Sequence, residues 1–381
     1  MSYSWWVFRR TLMTGGGKRL LNRIYRKNLP VSDTIKYGED LFDSLYPGMT
    51  RDDISQLLYE TWSRPYIFED FTLFKEQPFK GRYVNVDENG FRISKHQGIW
   101  PPDKEKDFPI FVFGGSSAFG YGVSDSETVA SFLQEGVSKA GLKRDPFVYN
   151  FGRGHYYSTQ ERILFEKLLA EGHVPDMALF LDGLNEFFYY SDNGTALSSS
   201  FEKLLRGDLG GLFLKEIRKR FSVLRSLRNM RKRIKRLFTG SIGLQRRERR
   251  APEPAGLMKV IERYLMSKRM IEAVGSAFNV QTVFVWQPIP GYKYDLTLHP
   301  FVKGGFGRHG YSRQGYPLMK KYLESHDLGN NFLWCADIGE DAKEPLYVDL
   351  THYSPRMSAL FAEVICDLLE QRNLFSRAGC R

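Results

Sequence analysis

Four short segments carry residue types that can do chemistry. Phe113-Gly114-Gly115-Ser116-Ser117 closes an apolar run on two glycines and a serine. A serine hydroxyl is a poor nucleophile until a base removes its proton. Asp349-Leu350-Thr351-His352 offers that base. An Asp and a His three apart on a turn can face one way, with the carboxylate on Nδ1–H and Nε2 left free. Asp182-Gly183-Leu184-Asn185-Glu186 contributes Asn185, whose amide can donate to a developing oxyanion. Asn150-Phe151-Gly152-Arg153-Gly154-His155 is a glycine-rich turn whose backbone N–H groups can approach a ligand closely. Each segment also has a plainer reading. The serine turn suits a strand-to-helix connection or a phosphate cradle, and Asp349 with His352 suits a metal pair or a capping Asp. Gly and Asn dominate turns in any case.

The elements around these segments are those of an alternating α/β chain. Ile110–Phe113, Phe147–Asn150, Met177–Leu181, Thr282–Trp286 and Phe332–Trp334 are short apolar runs, read as buried strands. Helices are expected between them. Ser124-Asp125-Ser126-Glu127 looks like a capping box opening a helix to about Ala140. Ser158-Thr159-Gln160-Glu161 looks like a second, with Gly172 just past the helix end. Residues 257–278 and Pro355–Leu369 complete the set. Such alternation implies a parallel sheet with helices on both faces. Ligands then bind at the carboxyl ends of the strands. Three of the four chemical segments follow successive strands directly.

In this chain order the four segments together resemble the SGNH (GDSL) hydrolase superfamily, whose blocks are a serine in Gly-Asp-Ser, a glycine, an asparagine in Gly-x-Asn-Asp and a C-terminal Asp-x-x-His. The match covers roughly residues 108–190 and 280–370. The resemblance implies Ser116 as nucleophile, His352 as general base and Asp349 as its orienting carboxylate. It implies an oxyanion hole of the Ser116 N–H, the Asn185 amide and a block-two N–H. Gly115 stands where the family has Asp, Ser117 where it has Leu, and Glu186 where it has the second Asp. In block two a gapless alignment puts His155 at the usual glycine, so Gly154 or His155 supplies that donor; Gly154 is the assignment made here. The implied fold is a three-layer α/β/α sandwich with a five-stranded parallel sheet of flavodoxin-like type. The implied activity is cleavage of small acyl esters, acetyl among them, on carbohydrate or lipid, through a Ser acyl-enzyme and without metal or cofactor. An O-acyltransferase would use the same triad. A scaffold that docks on an anionic surface is the reading from another class.

Composition bounds the rest. The 381 residues are 42% hydrophobic and 26% charged, ordinary for a globular protein, with 15% aromatic side chains that are expected mainly to fill the core. Residues 1–105 read as an N-terminal extension, with Asn89-Gly90 as a hairpin signal. Residues 106–381 read as the hydrolase domain, interrupted by a basic insertion over 190–256. Residues 201–250 carry 17 Lys/Arg against 4 Asp/Glu, so the net +11 of the chain belongs to this segment. Phe213, Ile217, Phe221 and Leu224 have helical spacing there, and one or two basic helices over 200–238 are expected. A basic amphipathic helix suits an anionic membrane surface, and a lid over the site is the alternative. Specific nucleic-acid binding is not expected, because charge alone would support it. The three cysteines lack metal or redox spacing. No apolar run reaches the roughly 20 residues that span a bilayer. A cytoplasmic protein, peripheral at a membrane at most, is expected. The other histidines read mostly as surface or core residues, with His299 and His309, in a Gly-rich loop, as the two that could touch substrate.

Overall fold

The computed structural model describes residues 39–188, 190, 253–302 and 305–375. The basic start of the chain and the expected basic helices over 200–238 lie outside these residues. The described chain falls almost wholly in one compact unit, within 1–188 and 261–381. A second unit, 189–260, is described only at its two ends. No helix among the described residues is long and apolar enough to cross a membrane.

Helices α1 (Glu39–Leu45) and α2 (Arg51–Trp62) lead into two antiparallel hairpins. These are β1 (Tyr66–Glu69) with β2 (Leu73–Glu76), and β3 (Phe79–Lys80) with β4 (Asn85–Val86). Strands β5 (Asp107–Gly114), β6 (Asp145–Asn150), β7 (Met177–Asp182), β8 (Gln281–Trp286) and β9 (Phe332–Trp334) follow. They form a five-stranded sheet in the order β6-β5-β7-β8-β9, with every pair parallel. Helices α3 (Ser116–Phe119), α4 (Val129–Val137), α5 (Ser158–Ala170), α6 (Leu184–Phe188), α7 (Pro254–Ala277), α8 (Gly310–Leu323) and α9 (Pro355–Gln371) complete the described elements. The expected three-layer α/β/α fold is therefore present.

The strands read as unbroken apolar runs because both faces of the sheet are covered. The twofold alternation still sorts the side chains. Phe108, Ile110, Val112, Leu179, Leu181, Val283 and Val285 share one cluster with Val129 and Leu133 of α4 and with Met357, Phe361 and Ile365 of α9. The opposite face is aromatic: Phe113 stacks on Phe180 at 4.9 Å and Phe180 on Phe284 at 5.4 Å, covered by Phe165 of α5. The high aromatic content thus fills the core, as expected.

Three local expectations fail for identifiable reasons. The Ser124 capping box exists, but it closes a single 3₁₀ turn, Asp125–Glu127; Thr128 then caps α4, which ends at Val137. At α5 the cap is Tyr157, not Ser158. Glu161 does not reach back there, because Glu186 Oε1 takes the Ser158 N–H at 2.7 Å. Helix α8 has no counterpart in the sequence reading, since Gly310, Gly315 and Pro317 disguise it. A side chain at Gly315 would collide with the Phe187 ring, so glycine serves close packing there rather than a break.

The Asn89-Gly90 hairpin is present. Gly90 has φ +88°, its N–H bonds the Asp87 carbonyl at 2.9 Å, and Val86 bridges Arg92. The turn delivers Arg92 into the core, where it is 0% exposed. Its guanidinium donates to Asp125 Oδ1 at 2.9 Å and to the carbonyls of Phe119, Gly120 and Val123. The loop that follows the serine turn is therefore clamped from the N-terminal segment. Removing one partner of such a buried charged network costs about 3–5 kcal/mol. We expect Arg92→Ala to lose that much in urea unfolding; a loss under about 1 kcal/mol would mean that water satisfies these carbonyls.

Candidate active site

Ser116 opens α3 at the carboxyl end of β5. His352 and Asp349 lie in the turn before α9. The fold brings them together across 236 residues, with His352 Nε2 2.8 Å from Ser116 Oγ and Nδ1 2.6 Å from Asp349 Oδ2. Asp349 Oδ1 accepts the N–H groups of Thr351 and His352, both at 2.9 Å, which holds the turn. Burial pushes the Asp349 carboxyl up. The positive charge of His352, its hydrogen bond and the two backbone donors outweigh this and bring it down to about 2. Asp349 is thus ionised throughout the neutral range and fixes the imidazole with Nδ1 protonated and Nε2 facing the serine. Trp62 lies edge-on to His352 at 5.4 Å, and Tyr121 stacks on it at 5.4 Å, which restrains the ring on both sides.

The donor side draws on the Ser116 turn and on two further segments. Asn185 follows β7, and its Nδ2 donates to the Tyr156 carbonyl at 2.7 Å, leaving its second hydrogen free. A Cβ on Gly115 would collide with that amide. Glycine at this position is what lets Asn185 reach the flank of Ser116. Among the described residues no acceptor faces the Ser116 N–H, which opens α3. The Gly154 N–H is not available as assigned from the sequence. It donates to Glu76 Oε1 at 3.1 Å, and a side chain at Gly154 would collide with the Tyr66 and Tyr121 hydroxyls. The next residue, His155, adopts φ +69°, the left-handed region where glycine is usual. Its N–H meets no acceptor among the described residues.

Both histidines of the Gly-rich loop feel the charges of the candidate site, His309 that of His352 and His299 that of Asp349. Burial lowers His309 to about 4, with the charge of His352 the next cause. Its ring packs 4.7 Å from Phe188. His299 is 4% exposed and stacks on Tyr347 at 5.4 Å inside an aromatic cluster. Sequence reasoning missed Trp62, Tyr66, Glu76 and Tyr121. None stands in a motif, and three of them come from the N-terminal segment.

Beside Asn185 lies a cleft lined in part by Glu161, Asp182 and Glu186. The three carboxyls are 1–3% exposed, and Asp182 and Glu161 lie within side-chain hydrogen-bond reach of each other. Burial raises all three, and the charges of neighbouring carboxylates add to this at Glu161 and Asp182. Arg263 partly offsets this at Glu186, 3.6 Å away. Among the described residues no group of acids or histidines is arranged to hold a metal ion.

Two outcomes follow. Gly115→Ala should displace Asn185 and lower kcat for ester cleavage by at least about 10-fold with KM little changed; an unaltered kcat would remove Asn185 from the donor set. The second concerns pH. A carboxyl with a raised folded pKa contributes stability that is fully present below its unfolded pKa and is lost as pH rises through the folded value. Asp182→Asn deletes one such group. The melting temperature of the variant relative to wild type should therefore climb between pH 5 and pH 9 in a thermal scan; a difference independent of pH would place the proton elsewhere.

No family model matches the chain, and no curated protein matches it. Solved structures do. The chain is similar to a lipase/acylhydrolase from Enterococcus faecalis at 14% identity, covering 69% of this chain and 96% of that one with a TM-score of 0.36. It is similar to a psychrotrophic esterase from Pseudoalteromonas sp. at 14% identity, covering 70% and 98% with a TM-score of 0.34. A member of the lipolytic G-D-S-L family from Veillonella parvula matches at 10% identity, covering 69% and 98% with a TM-score of 0.36. The chain is thus similar to G-D-S-L lipolytic proteins and esterases among solved structures.

Proposed function

We propose that the protein is a serine ester hydrolase. The observation that carries this is the continuous relay from Asp349 through His352 to Ser116, with contacts of 2.6 and 2.8 Å. In the first half-reaction Ser116 Oγ attacks the ester carbonyl carbon while His352 Nε2 takes its proton. The carbonyl oxygen becomes an oxyanion held by the Ser116 N–H, the Asn185 amide and the His155 N–H. His155 replaces Gly154 in this reading because Glu76 occupies the Gly154 N–H. The C–O bond then breaks, and the alcohol leaves with the proton from Nε2. A water deprotonated by His352 attacks the acyl-enzyme, and the acid departs as the serine regains its proton. Each donor that acts only on the oxyanion is worth roughly 100- to 1000-fold in rate.

A small acyl group, acetyl first, suits this site. Trp62 and Tyr121 crowd His352, and the Tyr66 ring lies 6.1 Å from that of His155. Water as acceptor is the simplest case. The test is treatment with a fluorophosphonate, which phosphonylates an activated serine, followed by mass spectrometry and a screen of acetyl, butyryl and longer esters. The adduct is expected on Ser116, and the acetyl ester should be cleaved fastest. An adduct on Ser117, whose hydroxyl is buried without a partner, or none in active protein, would refute the assignment.

A further inference from the structure

Glu76 lies at the end of β2, far from every chemical motif, yet it reaches the site. It is 1% exposed. Its Oε1 accepts the Gly154 N–H at 3.1 Å and the Tyr121 hydroxyl at 2.8 Å, while Oε2 lies 3.2 Å from Arg64 Nη1. Tyr121 gives its one hydrogen to Glu76, so the Tyr66 hydroxyl, 2.8 Å away, must donate to Tyr121. The same Tyr121 ring stacks on His352. A single carboxylate oxygen therefore ties the block-two turn to the wall behind the catalytic base.

The turn needs such a tie. His155 is a non-glycine residue at φ +69°, a conformation that costs an L-residue about 1–2 kcal/mol. Strained backbone of this kind persists only when its surroundings overdetermine it. On the N-terminal side the constraint is Glu76 on the Gly154 N–H, backed by the buried Arg153–Glu69 ion pair on the same hairpin. On the C-terminal side the Tyr156 N–H bonds the Arg153 carbonyl at 3.2 Å, and the Tyr156 carbonyl takes the Asn185 amide. Glu76 is the constraint that acts directly on the peptide group next to the strained residue. It is also oriented by a cation of its own, Arg64, whose guanidinium donates to the Glu60 carbonyl at 2.8 Å and rests 4.7 Å over the Phe119 ring.

We propose that Glu76 is a positioning residue of the oxyanion hole. By holding the Gly154 N–H it denies that group to the oxyanion and turns the following peptide so that the His155 N–H takes its place. The inference rests on the reading of His155 as donor. It assigns Glu76 a role through hydrogen-bond acceptance at one point in space, not through its charge, which Arg64 balances.

Two variants separate these. Glu76→Gln keeps the length and an acceptor oxygen. Glu76→Asp keeps the charge but withdraws the oxygen by one methylene. Active sites are counted by fluorophosphonate titration, and kcat is expressed per titrated site. Glu76→Asp should lose about 10- to 100-fold in kcat with KM changed less than about threefold, and Glu76→Gln should stay within about threefold of wild type. Equal loss in both, loss in Glu76→Gln alone, no loss in either, or a fall seen only in the number of titrated sites would overturn the proposal. If Glu76→Asp does not fold, the double variant Arg64→Met with Glu76→Met removes the acceptor without leaving a buried charge, and the same loss is expected. Wild-type protein that is not labelled at Ser116 would instead refute the triad reading, so the two failures are distinguishable.

Discussion

Everything in this protein hangs on the parallel pairing of β5 between β6 and β7. Val112 lies opposite Asn150, and Gly114 opposite Leu181. Parallel strands end together, so the residues after Gly114, Asn150 and Asp182 emerge along one rim. That registration is what turns the Ser116 turn, the Gly154–His155 turn and the Asn185 turn, separate in sequence, into neighbours. Two-sided burial enforces it. The aliphatic face packs under α4 and α9 and the aromatic face under α5, so a one-residue slip would exchange every side chain between them.

The rim is then secured by polar groups removed from water, an arrangement that costs stability unless each group is paired. The N-terminal segment does most of this pairing. Arg92 holds the carbonyls of the loop after the nucleophile, Glu69 holds Arg153, and Glu76 holds Gly154. Glu60 caps the turn before Val84, accepting the N–H groups of Arg82, Tyr83 and Val84. These partners lie tens of residues apart in the chain, and a change at one is felt at the site through the backbone it holds. The buried acids beside Asn185 are the exception. They are crowded, raised and only partly compensated by Arg263.

The aromatic side chains around His352 show why part of the site has no local signature. Trp62 ends a helix that reads as an ordinary amphipathic segment, and Tyr121 sits between two glycines. Neither has a spacing that marks catalysis. Each matters only because the hairpin and the serine loop fold over the same imidazole. Helix α8 was illegible for a related reason: its Gly315 answers to the Phe187 ring across the helix pair, and nothing within the segment announces that contact. The box at Ser158 also misled, because a carboxylate 28 residues away claims the N–H that local capping would have used.

By itself the sequence determined the five strands and their parallel arrangement, and the resemblance of its four segments to a known family singled out Ser116, Asn185, Asp349 and His352 as candidates. The strands follow from a short-range rule, since apolar runs ended by glycine make buried strands; the candidates follow from the resemblance alone. It could place no distances among the four, and it named Gly154 where the N–H turns out to be occupied. Which backbone donor is left free depends on an acceptor 78 residues earlier in the chain. Hydrogen bonding is directional and saturable, so a single N–H cannot serve both Glu76 and an oxyanion. That choice is made only when the hairpin docks, and only the tertiary structure contains it.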